Sequence, residues 1–158
     1  MKSKKDNPGV FIPPPLFYAL VFILSFFLQG TFTIKRAFFF HSLIANILGL
    51  LIILTGLMFA GPAIRQFFKT KNSIMPIKPA STLQTSGVYA ISRNPMYLGL
   101  MFNYLGLALI FGNWWTLFLL PVLIGLIQYF VISREESYLL RAFGDSYADY
   151  KKKVRRWI

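Results

Sequence analysis

The sequence predicts an all-α integral membrane protein of about four transmembrane helices, with a C-terminal helical hairpin followed by interfacial C-terminal helices. Three observations predict it. Of 158 residues, 56% are apolar and the mean hydropathy is +0.56, more than a water-soluble domain of this size carries. The apolar residues gather in four stretches, 16–34, 42–64, 95–111 and 114–132, each near the ~20 residues a helix needs to cross ~30 Å of hydrocarbon. Between the stretches lie the basic residues, 17 Lys and Arg against five Asp and Glu. In a soluble protein that excess would suggest nucleic acid. Here the cations flank apolar runs, so the expected partners are the bilayer and its anionic lipid headgroups, with no nucleic acid.

In chain order, Lys2, Lys4 and Lys5 give the basic start of a signal peptide, but the apolar run is too long and no small-x-small cleavage site follows Leu28. The first stretch therefore reads as an uncleaved span. Pro13, Pro14 and Pro15 set off residues 1–15 as an extended, mobile arm. Gly112 and Asn113 leave room for a tight turn only, which makes 95–111 and 114–132 an antiparallel hairpin with Trp114 and Trp115 at the interface. Arg65–Asn94 is the long polar connection. Of the 17 basic residues only Lys35 and Arg36 fall on the far side if the N-terminus is inside, leaving fifteen inside. Both termini are thus expected in the cytoplasm, for a single multi-pass domain over 1–158 in the plasma (inner) membrane.

Residues 133–158 are too polar to span, yet Leu139, Leu140, Phe143, Tyr147 and Tyr150 recur at helical spacing. A cytoplasmic amphipathic tail along the membrane surface follows. Gly144 and Asp145 read as a helix stop and a fresh N-cap, and the run Lys151–Arg156 as an anchor to anionic lipid.

The absence of Cys removes thiolate nucleophiles and disulfides. With one His, His41, placed at the outer interface away from any site, no metal centre is expected. The chain lacks GxGxxG, the Walker A pattern and HExxH, so a Rossmann site, a P-loop and a zincin have no support. Gln29, Asn46 and Asn103, inside spans, read as hydrogen-bonding packing groups.

Two segments carry candidate chemistry. In Thr85–Gly99, Asn94 is a good N-cap and Pro95 a good first helical residue, so a helix with its free N–H groups begins at the inner mouth of the third span. With Arg93 beside it, that end suits a carboxylate or phosphate; the same residues also read as plain capping with a snorkelling Arg. In Arg134-Glu135-Glu136, two carboxylates sit at a membrane edge where anionic lipid repels them, so they need a cation. Arg134 and Arg141 are the structural partners; a cationic ligand with ribose hydroxyls is the functional one. The hairpin brings both segments to one face of the membrane. S-adenosylmethionine fits such a pair, its carboxylate at the helix mouth and its ammonium, sulfonium and ribose near carboxylates and the Tyr89 and Tyr97 rings.

TSGVYAISRNPMYLG, the later REESYLLRAFGDSYADYKKKV and the short hairpin between them resemble the isoprenylcysteine carboxyl methyltransferase family, related to the phospholipid N-methyltransferases, over roughly residues 81–154. The resemblance implies a membrane methyltransferase that takes S-adenosylmethionine from the cytoplasm and a lipophilic acceptor, a carboxylate, thiol or lipid amine, from the bilayer. It implies a cofactor pocket of Ser81, Thr82, Leu83, Gln84, Tyr89, Asn94, Pro95, Met96, Tyr97, Glu135 and Glu136, with Arg93 and Arg134 as candidate substrate-positioning residues. Two departures matter. Asn94 stands where the family normally has His, which removes a base but keeps a donor. Val131 stands where the prenylcysteine enzymes place an Arg for the acceptor carboxylate. A dinucleotide-dependent membrane reductase relative and a non-enzymatic lipid-binding module are the alternative readings.

Overall fold

The computed structural model describes residues 7–35, 39–40, 42–70 and 80–158. His41, Arg36, Lys2, Lys4 and Lys5 lie outside them. The described residues are helical apart from turns and loops: α1 Pro14–Thr31, α2 Leu43–Lys69, α3 Pro95–Phe111, α4 Trp114–Leu126, α5 Ser133–Phe143 and α6 Asp145–Lys153, with a short 3₁₀ turn Gly87–Ala90. Three of these stretches are long and apolar enough to cross a membrane: α1, α2, and the unbroken run Trp114–Phe143. With 17 residues, α3 is shorter, about 26 Å at 1.5 Å per residue.

Several boundaries differ from the sequence reading. α1 starts at Pro14, because a proline in the first turn loses no helical hydrogen bond, and ends at Thr31, where Gln29 Nε2 turns to the Ile34 carbonyl (2.8 Å). The arm is not loose throughout: Val10 is buried in the core cluster with Tyr18, Tyr97 and Ile132, and the Gly9 carbonyl accepts a hydrogen bond from Arg134 (2.9 Å). α2 runs five residues past Ile64, to Lys69. No break separates the last apolar stretch from the tail. Residues Ile127–Ile132 form π-helical turns that lead into α5, so this 30-residue helix reaches roughly 45 Å and projects beyond the hydrocarbon.

The hairpin forms, with Asn113 capping α4 through Thr116 N (3.2 Å), but its two arms are not each other's main partners. α3 packs most extensively on α2, and α4 on α1. The reason is backbone approach. A Cβ on Gly99 would lie 2.6 Å from the Gly56 carbonyl oxygen, and one on Gly106 would lie 2.5 Å from that of Gly49. Glycines seven residues apart on each helix therefore form an antiparallel seam, the close contact by which membrane helices associate without a hydrophobic drive. Asn103 lies against Gly56 within this seam, but its Oδ1 is buried and has no hydrogen-bond partner among the described residues, so the hydrogen bond expected of it is not made by that oxygen. On the other side Tyr18, Phe22 and Tyr104 make edge-on ring contacts, 6.5 and 5.6 Å between centroids, that join α1 to α3. Trp114 and Trp115 hold the far end through Phe40 (5.4 Å) and the Phe32 carbonyl (2.9 Å).

The α1 start, the α2 end, the α3 start and α5 consequently share one end of the bundle. The tail folds onto that end. Of the stripe expected to lie on the membrane surface, Tyr147 and Tyr150 are instead buried in the protein, while Leu140 stays exposed. Gly144, at φ +52, makes the bend before α6; Asp145 is the first helical residue there and provides no side-chain cap.

Candidate active site

A cavity of about 850 Å³, counting the open solvent at its mouth, occupies this end. The loop before α3 makes one wall. Gln66 Nε2 donates to Gln84 Oε1 (2.8 Å) and Ser86 Oγ (3.2 Å), and Gln84 Nε2 donates to Thr82 Oγ1 (2.8 Å) and Thr70 Oγ1 (3.2 Å). Gly87, at φ +62, supplies the left-handed turn, which delivers the Tyr89 ring onto Phe67 at 5.9 Å. α5 makes the opposite wall, and α6 closes the floor with Tyr147 and Tyr150.

The two loaded segments meet across this space. Tyr97 Oη donates to Glu135 Oε1 (2.8 Å), and Arg93 Nη2 pairs with Glu136 Oε1 at 3.1 Å. The partners of Glu136 differ from those the sequence offered: Arg156, not Arg134 or Arg141, forks onto it, Nε to Oε1 at 3.0 Å and Nη2 to Oε2 at 2.6 Å. The basic run is divided: Lys151, Lys152, Lys153 and Arg155 are exposed, whereas Arg156 turns inward onto Glu136. Asn94 precedes α3 but does not cap it with its side chain; Nδ2 donates to the Arg156 carbonyl (2.9 Å).

Thr82, Leu83, Gln84, Tyr89, Arg93, Asn94, Pro95, Met96, Tyr97, Glu135 and Glu136 all line the cavity. Ser81 and Arg134 do not. Ser81 Oγ faces the Thr70 carbonyl (3.4 Å), and Arg134 is exposed and tied to Gly9. Sequence reasoning missed Phe67, Tyr138, Tyr147 and Tyr150 as lining residues. Tyr147 and Tyr150 lay in plain view on an amphipathic pattern, but that pattern does not say whether lipid or protein covers it, and Tyr138 lay outside it.

Polar atoms remain for a ligand. Tyr89 Oη and Arg93 Nε and Nη1 are buried and make no hydrogen bond among the described residues, and buried polar groups are ordinarily satisfied. Glu135 forms no ion pair among the described residues. Burial pushes the Tyr147 phenol up to about 12, with the Glu136 carboxylate adding and the Arg93 and Arg156 charges opposing. Burial raises Tyr89, assisted by Glu135 and Tyr150, and also Tyr150, assisted by Tyr147. All three phenols stay protonated near neutral pH, and Tyr150 Oη donates to the Tyr89 carbonyl (2.6 Å).

The phospholipid methyltransferase profile matches residues 44–146, from the first turn of α2 through α5, which takes in the cavity lining except Pro8, Tyr147 and Tyr150. The chain belongs to the phospholipid methyltransferase family. Over 72 residues, 46% of this chain and 30% of the relative, it is 39% identical to a protein-S-isoprenylcysteine O-methyltransferase of Schizosaccharomyces pombe. Over 113 residues it is 31% identical to the protein of that name in Xenopus laevis, covering 69% of this chain and 38% of the relative. An uncharacterized protein of Haemophilus influenzae is 44% identical over 63 residues, 40% of this chain and 100% of the relative. The matches therefore span well under half the length of the two named methyltransferases.

Proposed function

We propose that this protein transfers a methyl group from S-adenosylmethionine to a lipophilic acceptor that partitions into the membrane. The observation that carries the reading is the cavity itself: a buried guanidinium edge with unused donors faces carboxylates and phenols at the mouth of apolar helices. The residues fit the cofactor. Arg93 Nε and Nη1 suit its carboxylate, and Glu135, with Tyr97 fixing one oxygen, suits its ammonium or ribose hydroxyls. Tyr89, Tyr138, Tyr147 and Tyr150 offer aromatic faces to a cation.

When bound, the cofactor supplies a methyl group on a sulfonium, an electrophile needing no protein activation. The chain's own contribution is then to hold both reactants in line and keep water out. Phe67, Leu83, Met96 and Leu139 give the cavity its apolar wall, suited to an acceptor arriving from lipid. A carboxylate or thiolate acceptor needs no base. Asn94 supplies none, and its amide is spent on the tail. Val131, where the prenylcysteine pattern has Arg, leaves an acceptor carboxylate without that partner, so an acceptor other than a prenylcysteine fits better. The exposed Lys151, Lys152, Lys153 and Arg155 suit anionic headgroups at the cytoplasmic surface.

Titration of the purified protein with S-adenosylhomocysteine and, separately, with NADPH tests the reading. Heat of binding is expected for the first alone; binding of NADPH alone supports the reductase alternative, and binding of neither supports a lipid-binding module. In the same assay Glu135→Gln should weaken S-adenosylhomocysteine by ~1.5–3 kcal/mol, the range for a lost charge-assisted hydrogen bond, with the thermal transition retained. Unchanged affinity in a folded variant removes Glu135 from the cofactor site.

Orientation is testable independently. The first and last described segments share one end of the bundle, where Gly9 meets Arg134 and Trp157 meets Gln128, and the charge count favours the cytoplasm for that end. Reporter fusions after Lys35 and at the C-terminus should read outside and inside. An external C-terminus would cut the cavity off from cytoplasmic cofactor.

A further inference from the structure

We propose that Arg156 is a positioning residue for cofactor recognition: by occupying both oxygens of Glu136, it leaves the buried Arg93 guanidinium its net positive charge and two unused donors for the ligand's carboxylate. The inference rests on the methyltransferase reading above and adds to it a role for the end of the chain.

The charge count at the site is the first ground. Two guanidinium groups, Arg93 and Arg156, share one carboxylate, Glu136, so the cluster carries one excess positive charge. How the three groups are arranged is the second. Arg156 takes the two-pronged contact, at 2.6 and 3.0 Å, which is the stronger geometry for a guanidinium and a carboxylate. Arg93 keeps a single contact with Glu136, through Nη2 at 3.1 Å, and also faces the Tyr147 phenol. Its Nε and Nη1 stay buried and unpartnered among the described residues, on a side chain only 8% exposed and lining the cavity. Guanidinium N–H groups can only donate. An acceptor from outside the described chain completes them, and the excess charge selects an anion.

Arg156 is held in place for this task. The segment after α6 is fastened beside the start of α3 by Arg93 N to the Arg155 carbonyl (3.0 Å), and by Ser92 Oγ (3.3 Å) and Asn94 Nδ2 (2.9 Å) to the Arg156 carbonyl. Trp157 Nε1 reaches Gln128 Oε1 (3.3 Å), the residue whose backbone carbonyl also accepts from Ser133 Oγ in the π-helical turns leading to the Glu pair. Without Arg156, Glu136 has Arg93 as its remaining partner. The Arg93 fork then closes on Glu136, the cluster becomes neutral, and the anion site disappears.

The test compares two ligands on the full-length protein by isothermal titration, with the thermal transition recorded for each variant. S-adenosylhomocysteine carries the amino-acid carboxylate; 5′-methylthioadenosine lacks it. Wild type must first bind S-adenosylhomocysteine, and if it does not, the methyltransferase reading itself fails. Given that binding, Arg156→Gln is expected to weaken S-adenosylhomocysteine roughly tenfold or more, equal to about 1.4 kcal/mol, while leaving 5′-methylthioadenosine within about twofold. Adding Glu136→Gln to Arg156→Gln restores the excess charge and should recover the wild-type ratio between the ligands, as should Arg156→Lys. Equal weakening of both ligands by Arg156→Gln means a structural clamp and overturns the proposal, as does unchanged affinity for both. If Arg156→Gln alone does not fold, Arg156→Lys and the double variant carry the test: a wild-type ratio in both supports the proposal, and loss of the ratio in either overturns it.

Discussion

Replacing Glu136 with Leu is expected to cost roughly 3–5 kcal/mol of stability, the range for removing one partner of a buried ion pair and leaving the other charge behind. The cost arises because Glu136 is the shared anion of Arg93, only 8% exposed, and of Arg156, 31% exposed. Its loss strands one buried cation and frees another that has partial access to water, so the lower half of the range is the better expectation. The damage should be local in origin. Arg156 would release the tail, Trp157 would lose its place near Gln128, and the floor of the cavity would open. Thermal unfolding in detergent, followed by Trp fluorescence, measures the cost. Glu135→Leu is the matching control: Glu135 has a hydrogen bond from Tyr97 but no ion pair among the described residues. It should lose less stability and more ligand affinity than Glu136→Leu. A Glu136→Leu protein as stable as its parent would show that the two arginines find water or each other's counter-charge elsewhere, and that the ion cluster does not hold the tail.

Gly99→Leu is expected to separate α2 from α3. The first added carbon would already lie 2.6 Å from the Gly56 carbonyl, 2.8 Å from Ala60 Cβ and 2.9 Å from Ala60 N. Two of these three atoms are backbone, so no side-chain rotation relieves the clash and the helices must move apart. Overpacking by methylenes costs roughly 1–3 kcal/mol where neighbours adjust; here adjustment opens the whole seam, including the Gly49 and Gly106 crossing. The functional effect should be larger than the stability effect, because α3 begins at Pro95 and carries Tyr97 into the cavity. Gly125→Leu, on α4, has nothing within 4 Å of its Cβ and should be silent. The comparison is read as the thermal transition and as S-adenosylhomocysteine affinity. Equal behaviour of the Gly99 and Gly125 variants would mean that close backbone approach is not what joins α2 to α3.

The apolar runs, their flanking charges and the Asn94-Pro95 start of α3 could all be read from the sequence, because the bilayer acts on each helix one at a time. Length and hydropathy decide which segments are long and apolar enough to span, and charge decides which end of each is expected to stay in water. The meeting of Glu135 and Glu136 with the α3 mouth could be read for the same reason: a two-residue turn at Gly112 and Asn113 forces the opposite ends of the hairpin to one side. The pairing of helices could not. α2, α3 and α4 are apolar all round, so no face announces its partner, and the α2–α3 seam is recorded only in glycines whose spacing becomes meaningful once Gly56 and Gly99 are seen to touch. The tertiary structure likewise decided the fate of the C-terminal run. In sequence, Arg156 is one of six residues from Lys151 to Arg156, five of them basic, that any anionic lipid would attract. A buried carboxylate is a stronger claim on a guanidinium than a screened headgroup, since pairing there satisfies donors and charge together, and only the folded chain places Glu136 within reach.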